Sequence, residues 1–164
     1  MKANIAFMYG PKDLRIENVE VPELKPNQIL IKTKACGICG SDVHCYLGES
    51  AEGRYDIAPY TPGHEVGGQV IGIGSDVSTF KVGDKVTAEC VLDCGHCANC
   101  KEGLMPSACL NFRELGFRPD SPGGMGEYIV IEEEYAYKIP DDWSYDWGAW
   151  VETFSIGYFG IWGN

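Results

Sequence analysis

Eight cysteines, three histidines and 24 acidic residues give this 164-residue chain an unusual supply of metal-ligating side chains. The densest group is Cys94-Gly95-His96-Cys97-Ala98-Asn99-Cys100 followed by Cys109, four thiols within one loop and enough to close a tetrahedral Zn²⁺ shell. Thiols repeated at every third residue suit convergence on one ion better than disulfide pairing, whose partners must face each other. Two disulfides or free structural thiols are the alternatives, but the composition is that of an ordinary globular core rather than a small loop-rich scaffold. Four sulfurs leave no open position for a substrate. Such a site is structural, and its binding energy folds a loop with little apolar material of its own. His96, a lone imidazole between ligand positions, is expected to be exposed rather than metal-bound.

A second group is spread along the chain: Cys36-Gly37-Ile38-Cys39-Gly40-Ser41-Asp42-Val43-His44, then Pro62-Gly63-His64-Glu65, then Glu152. Three mixed ligands of thiolate, imidazole and carboxylate type would leave a fourth position for water or an alcohol oxygen, which is what separates a catalytic zinc from a structural one. Spacing alone does not decide the matter. Individually, His64 reads as a buried histidine, Cys39 as a small core residue and Glu152 as a solvated helix charge.

These groups need elements to hold them. Short β-rich runs cover residues 2–8, 14–21, 28–34, 66–73, 85–89 and 127–131, bounded by turn sequences such as Gly10-Pro11, Lys25-Pro26-Asn27, Val82-Gly83-Asp84 and 119–124. The pattern predicts a mainly β domain, a barrel or sandwich. Helices are expected only over 41–47 and over about 144–159, the second capped by Ser144. No strand followed by G-x-G-x-x-G and a helix occurs, and Gly72-Ile73-Gly74-Ser75-Asp76 reads as a glycine-rich turn after a strand.

The runs Gly37-Ile38-Cys39-Gly40-Ser41-Asp42-Val43-His44 and Gly63-His64-Glu65-Val66-Gly67-Gly68, with Val82-Gly83-Asp84-Lys85-Val86 and the cysteine lobe, resemble the zinc-dependent medium-chain alcohol and polyol dehydrogenases. The resemblance runs from about residue 2 to the end of the chain. It implies a GroES-like β-barrel domain over 1–140, including a zinc lobe at about 90–112, and a helical segment, 141–164, leading to a Rossmann domain that is absent from these 164 residues. It makes Cys39 and His64 ligands of a catalytic zinc, with Asp42 orienting His64, and Cys94, Cys97, Cys100 and Cys109 ligands of a structural zinc. For the third catalytic ligand, Val151-Glu152-Thr153-Phe154-Ser155 matches the glutamate of a Val-Glu-Pro-Leu-Ser motif in polyol- and threonine-dehydrogenase-like members, with Thr153 and Phe154 replacing proline and leucine. Glu65 is the competing carboxylate, beside the metal, and Glu152 is preferred. In the lobe, eight residues separate Cys100 from Cys109, one more than is usual in the family. Ser41 and His44 match the family's proton-relay positions, although a helix cap is the bland reading of Ser41. Cys36 matches a non-ligand cysteine, and Cys45 and Cys90 read most simply as small core residues.

The implied activity is oxidation of a secondary alcohol, polyol or sugar-type hydroxyl with hydride transfer to NAD or NADP in the complete enzyme. The run ending at Tyr46, together with Glu152, favours polyol and sugar dehydrogenases. By itself the 164-residue chain is expected to be inactive. The alternatives are a non-catalytic zinc-binding barrel acting as a structural or interaction module, and a zinc-free quinone-reductase-like relative, which would lack these ligands. The formal charge of −11 repels phosphate backbones and anionic membranes, so nucleic acid and membrane surfaces are not expected partners. The N-terminus has no signal-peptide pattern, and no apolar run reaches membrane-spanning length, so the expected setting is cytoplasmic. Trp147, Trp150, Phe154, Tyr158, Phe159 and Trp162 on the last helix would pack beneath the nucleotide-binding domain, and when exposed they predict self-association into a homo-oligomer.

Overall fold

The computed structural model describes residues 1–49 and 58–163. It is mainly β, as the turn-bounded runs require. Strands β1 (Lys2–Gly10) and β2 (Asp13–Glu20) form an antiparallel hairpin. A five-stranded antiparallel sheet follows in the order β8-β3-β4-β5-β9, built from β3 (Gln28–Cys36), β4 (Val66–Ile73), β5 (Lys85–Ala88), β8 (Tyr128–Glu132) and β9 (Ala136–Lys138). The hairpin is tied to the start of β8 by Ala6 N–H donating to Met125 O (2.9 Å) and Glu127 N–H donating to Asn4 O (3.0 Å), which curls the sheet toward closure.

Alternating apolar residues turn to one side and make the core: Ile29 and Ile31 from β3, Val66 and Val70 from β4, Val86 and Ala88 from β5, Ile129 and Ile131 from β8, with Phe80 and Leu115 from the connections. A separate two-stranded ribbon, β6 (Val91–Leu92) with β7 (Arg113–Glu114), frames the loop that carries the cysteine lobe. Within that loop lies the short helix α2 (Ala98–Lys101). The Gly72–Asp76 segment is a turn, with Gly74 N–H on Gln28 O (2.7 Å) and Asp76 N–H on Pro26 O (2.8 Å).

Helices α1 (Gly40–Leu47) and α3 (Tyr145–Trp162) lie where the sequence places helices. Ser144 caps α3, its Oγ accepting from the Trp147 N–H (3.3 Å). For α1 the cap is Cys39, and Ser41 sits inside the first turn, so the helix-cap reading of Ser41 does not hold. The start of α3 is clamped to the sheet by Lys85, whose Nζ donates to the carbonyls of Asp141 (2.6 Å) and Trp143 (2.7 Å) and lies 5.2 Å from the Tyr145 ring centre. Backbone meets backbone there. A Cβ on Gly67 would sit 2.0 Å from Tyr145 O, and a Cβ on Gly148 3.3 Å from Gly67 Cα, so β4 and α3 touch across two glycines. Beyond that seat the helix leaves the sheet, and Trp150, Phe154, Ile161 and Trp162 are more than 60% exposed. No described helix is long and apolar enough to cross a membrane.

Candidate metal centres

The sheet register assembles the dispersed site. Strand β3 ends with Cys36 opposite Val66, and the next residues stay paired, Gly37 N–H donating to Glu65 O (2.8 Å). Cys39, three residues past β3, is thereby brought to His64, two residues before β4. On the other side of β4, Gly67 pairs with Thr87; continued along the two antiparallel strands, that register sets Cys90 across from His64. The seat of α3 on Gly67 adds Glu152, which shares the inner helix face with Gly148 and Ala149 by i, i+3, i+4 spacing.

The outcome is two overlapping triads. The ligand atoms of Cys39, His64 and Glu65 lie within 4.8 Å of one another, and so do those of His64, Cys90 and Glu152. His64 belongs to both. Its ring is 4% exposed, stacks at 5.1 Å on Phe117, and its Nδ1 is buried without a hydrogen-bond partner among the described residues. Such an orphaned polar atom is costly unless something is bound nearby. Glu65 reaches the cluster only because residue 37 is glycine, since a Cβ there would fall 1.7 Å from Glu65 Oε2.

The electrostatics point to a cation. Burial raises the Glu152 carboxyl above its ordinary range, and the charges of Glu65, Glu89 and Asp42 raise it further, with His64 opposing. Burial likewise pushes the Cys90 thiol up to about 12, helped by the negative charges of Glu152, Glu114, Glu89 and Cys39. Without a metal these donors are favoured in their protonated, neutral forms; a divalent ion would take the place of the protons, and the set of soft sulfur, imidazole and carboxylate suits zinc. Asp42 differs from expectation. Its Oδ2 accepts from Cys39 N–H (3.0 Å) and its Oδ1 from Gly63 N–H (3.3 Å), so it ties together the two turns that carry Cys39 and His64 instead of bonding to the imidazole. It is 4% exposed, and burial raises its carboxyl, with the charge of His64 the leading opposing influence. Ser41 and His44 stand three residues apart on α1; Ser41 is partly buried, and His44 is exposed with Nδ1 3.1 Å from Glu49 Oε2.

In the lobe, the sulfurs of Cys94, Cys97, Cys100 and Cys109 converge within 4.8 Å of one another, and none is in a disulfide. The longer spacer between Cys100 and Cys109 does not prevent this, because a 3₁₀ turn at Pro106–Ala108 and the Asn99 Nδ2 bond to Ala108 O (2.6 Å) fold it back. The His96 N–H is the leading influence drawing the Cys94 thiol down to about 6, the loop amides drawing Cys97 down as well, whereas burial pushes Cys100 up to about 12. Backbone amides thus favour thiolates at the front of the loop, as a closed thiolate site needs. His96 is exposed, its ring nitrogen turned to the Cys94 carbonyl.

Sequence reasoning passed over Cys90. The signal that would have found it is the β4–β5 register, which needs the strand pairing and not only the strands.

Residues 25–141 match the alcohol dehydrogenase GroES-like domain. Sorbitol dehydrogenase of Bacillus subtilis (strain 168) is 39% identical over 158 residues, which cover 96% of this chain and 43% of that protein. L-threonine 3-dehydrogenase of Escherichia coli (strain K12) is 42% identical over 154 residues, covering 94% of this chain and 44% of the relative. Among solved structures, a Sinorhizobium meliloti 1021 dehydrogenase, described as zinc-binding and bound to NADP, superposes with a TM-score of 0.87 at 30% identity, over 98% of this chain and 45% of that one. The chain belongs to the zinc-dependent medium-chain dehydrogenases and forms their GroES-like domain. It spans a little under half the length of these relatives.

Proposed function

We propose that this chain is the catalytic-domain portion of an oxidoreductase that oxidises a secondary alcohol, polyol or sugar-type hydroxyl with NAD or NADP, and that it holds two zinc ions, one catalytic and one structural. The observation that carries the reading is the meeting of Cys39, His64 and a carboxylate at one point around an orphaned imidazole, a donor set that a purely structural barrel has no use for. A zinc ion in such a shell supplies Lewis acidity toward a substrate hydroxyl. The chain's own groups do the rest. Cys39 and His64 fix the ligand geometry and Asp42 braces their two turns; Glu152 is preferred over Glu65 as the third ligand on its motif, although Glu65 is the carboxylate that lies within 4.8 Å of both Cys39 and His64, and Glu152 lies that close to His64 and Cys90. Ser41 and His44, successive on one face of α1, form a path by which a hydroxyl proton reaches the exposed end of the helix.

In domain terms, 1–140 is the GroES-like unit, with its lobe at about 90–112, and 141–164 is the helical lead into a nucleotide-binding domain. The active assembly is expected to be a homo-oligomer in the cytoplasm, acting on a small hydroxylated substrate and not on nucleic acid or membrane.

The test is metal content per chain after gel filtration in chelator-free buffer. About two zinc ions, falling to one in His64→Ala, support the catalytic site; one zinc, unchanged by the substitution, overturns it in favour of a structural barrel. In a chimera joining this chain to the remainder of the Bacillus subtilis sorbitol dehydrogenase, polyols are expected to drive NAD(P) reduction, which His64→Ala abolishes. The chain alone should show none.

A further inference from the structure

We propose that Cys90 is a ligand of the catalytic metal, completing with His64 and Glu152 a second donor shell that overlaps the Cys39, His64 and Glu65 shell at the shared imidazole. The inference rests on the catalytic-zinc reading above. Its basis is geometric: the Cys90 sulfur, a His64 ring nitrogen and a Glu152 oxygen lie within 4.8 Å of one another, close enough for small side-chain movements to bring all three onto one ion. The backbone of Cys90 is also held. Its carbonyl accepts from Leu115 N–H (2.8 Å), and its N–H and that of Val91 both donate to Glu89 Oε1 (3.0 and 3.3 Å). A thiol on a fixed backbone beside a 4%-exposed imidazole with an unpartnered nitrogen is poised to ligate.

The consequence is a site with two seats. In one, Cys39 and Glu65 flank His64; in the other, Cys90 and Glu152 do. An ion in the second seat is held by thiolate, imidazole and carboxylate without Cys39, so the site tolerates loss of the residue that the rest of the family resemblance makes indispensable. Cys90 also lies four residues before Cys94, so the β6–β7 ribbon that frames the lobe also fixes this ligand.

The experiment uses the chain reconstituted with Co²⁺ at saturation, following thiolate-to-cobalt charge-transfer absorption, whose intensity counts the sulfurs bound. His64→Ala supplies the reference for the four lobe thiolates alone. Cys39→Ser is expected to keep one thiolate more than this reference, and Cys39→Ser/Cys90→Ser to fall back to it. In the otherwise unaltered chain, Cys90→Ser is expected to weaken binding of the site metal by about tenfold or more in chelator competition, at least the size that changes outside the ligand shell already produce. If Cys39→Ser alone gives the reference spectrum, the inference is overturned while the catalytic site stands. If His64→Ala binds as much metal as the unaltered chain, the catalytic reading itself has failed. A thiol that merely packs would leave the sulfur count unchanged.

Discussion

Replacing Gly67 by alanine tests the contact that delivers Glu152 to the site. The new Cβ would stand 2.0 Å from Tyr145 O and 2.8 Å from Ala149 N, both backbone atoms that no rotamer change can move. An ordinary contact begins at 3.4 Å, so the start of α3 must retreat by 1.4 Å. Lys85, with two bonds to the carbonyls before the helix, resists that retreat. Overpacking of this kind costs about 1–3 kcal/mol, and with backbone on both sides the upper end is expected. For a chain of this length that lowers the unfolding midpoint by about 6–12 °C. Metal sites tolerate ligand shifts of only about 0.2 Å, so the site metal is expected to be lost and the lobe metal kept. Thermal unfolding followed by circular dichroism and metal analysis of the same samples provide the assay. The control is Gly157→Ala on the same helix, where the Cβ meets nothing within 4 Å and the helix gains about 0.5–1 kcal/mol of intrinsic propensity. Should Gly67→Ala unfold at the original temperature with both metals bound, the seating of α3 on β4 described above is wrong.

Gly37→Ala separates the two carboxylates: its Cβ would displace Glu65 from 1.7 Å, so the site metal should persist if Glu152 is the third ligand and be lost if Glu65 is, with Glu152→Gln giving the opposite pattern in metal analysis. The apolar stripe of α3 should make the chain self-associate, and Trp150→Glu/Phe154→Glu should shift its gel-filtration mass toward the monomer without lowering the unfolding midpoint, since both side chains are more than 60% exposed. With metal stripped by chelator, pH dependence follows from the raised Glu152 and Asp42 carboxyls. A group with a folded pKa above its unfolded value contributes stability present at low pH and lost as pH rises through the folded value, so these two groups should make the metal-free chain gain stability as pH falls from neutral toward the ordinary carboxylate range. Glu152→Gln should flatten that slope in denaturant titrations, and an unchanged slope would remove Glu152 as its source.

The expected elements were legible because each is a β-rich run set between turn residues or a helix with its own start signal. The six strands expected from β-rich runs between turns all form, and so do both helices, α3 with its Ser144 cap. The short ones were not. Strands β6, β7 and β9 have two or three residues each, too few to show a run, and exist because distant backbone pairs with them; α2 is a single turn closed by its own bonds, such as Lys101 N–H to Cys97 O (3.0 Å). The same limit governed the site. The lobe was readable since its thiols cluster in sequence, and His64 and Cys39 were readable through the motifs around them. Cys90 looked like filler because its neighbour His64 is 26 positions away and meets it only through the pairing of β4 with β5. For Asp42, the sequence gives no hint that two turn amides compete for the carboxylate and win.

The two proposed sets of ligands differ in how far apart they lie along the chain. Cys94 and Cys109 close a loop of 15 residues, whereas Cys39 and Glu152 are separated by 113. Loop-closure entropy rises with the logarithm of that length, so gathering the dispersed set costs about 1.8 kcal/mol more at 25 °C before any contact repays it. The lobe can therefore capture its ion as soon as its own short segment has left the ribosome, while the dispersed site must wait for α3. Under zinc scarcity the ions would be filled in that order, leaving molecules that are folded around the lobe and empty at the site of chemistry.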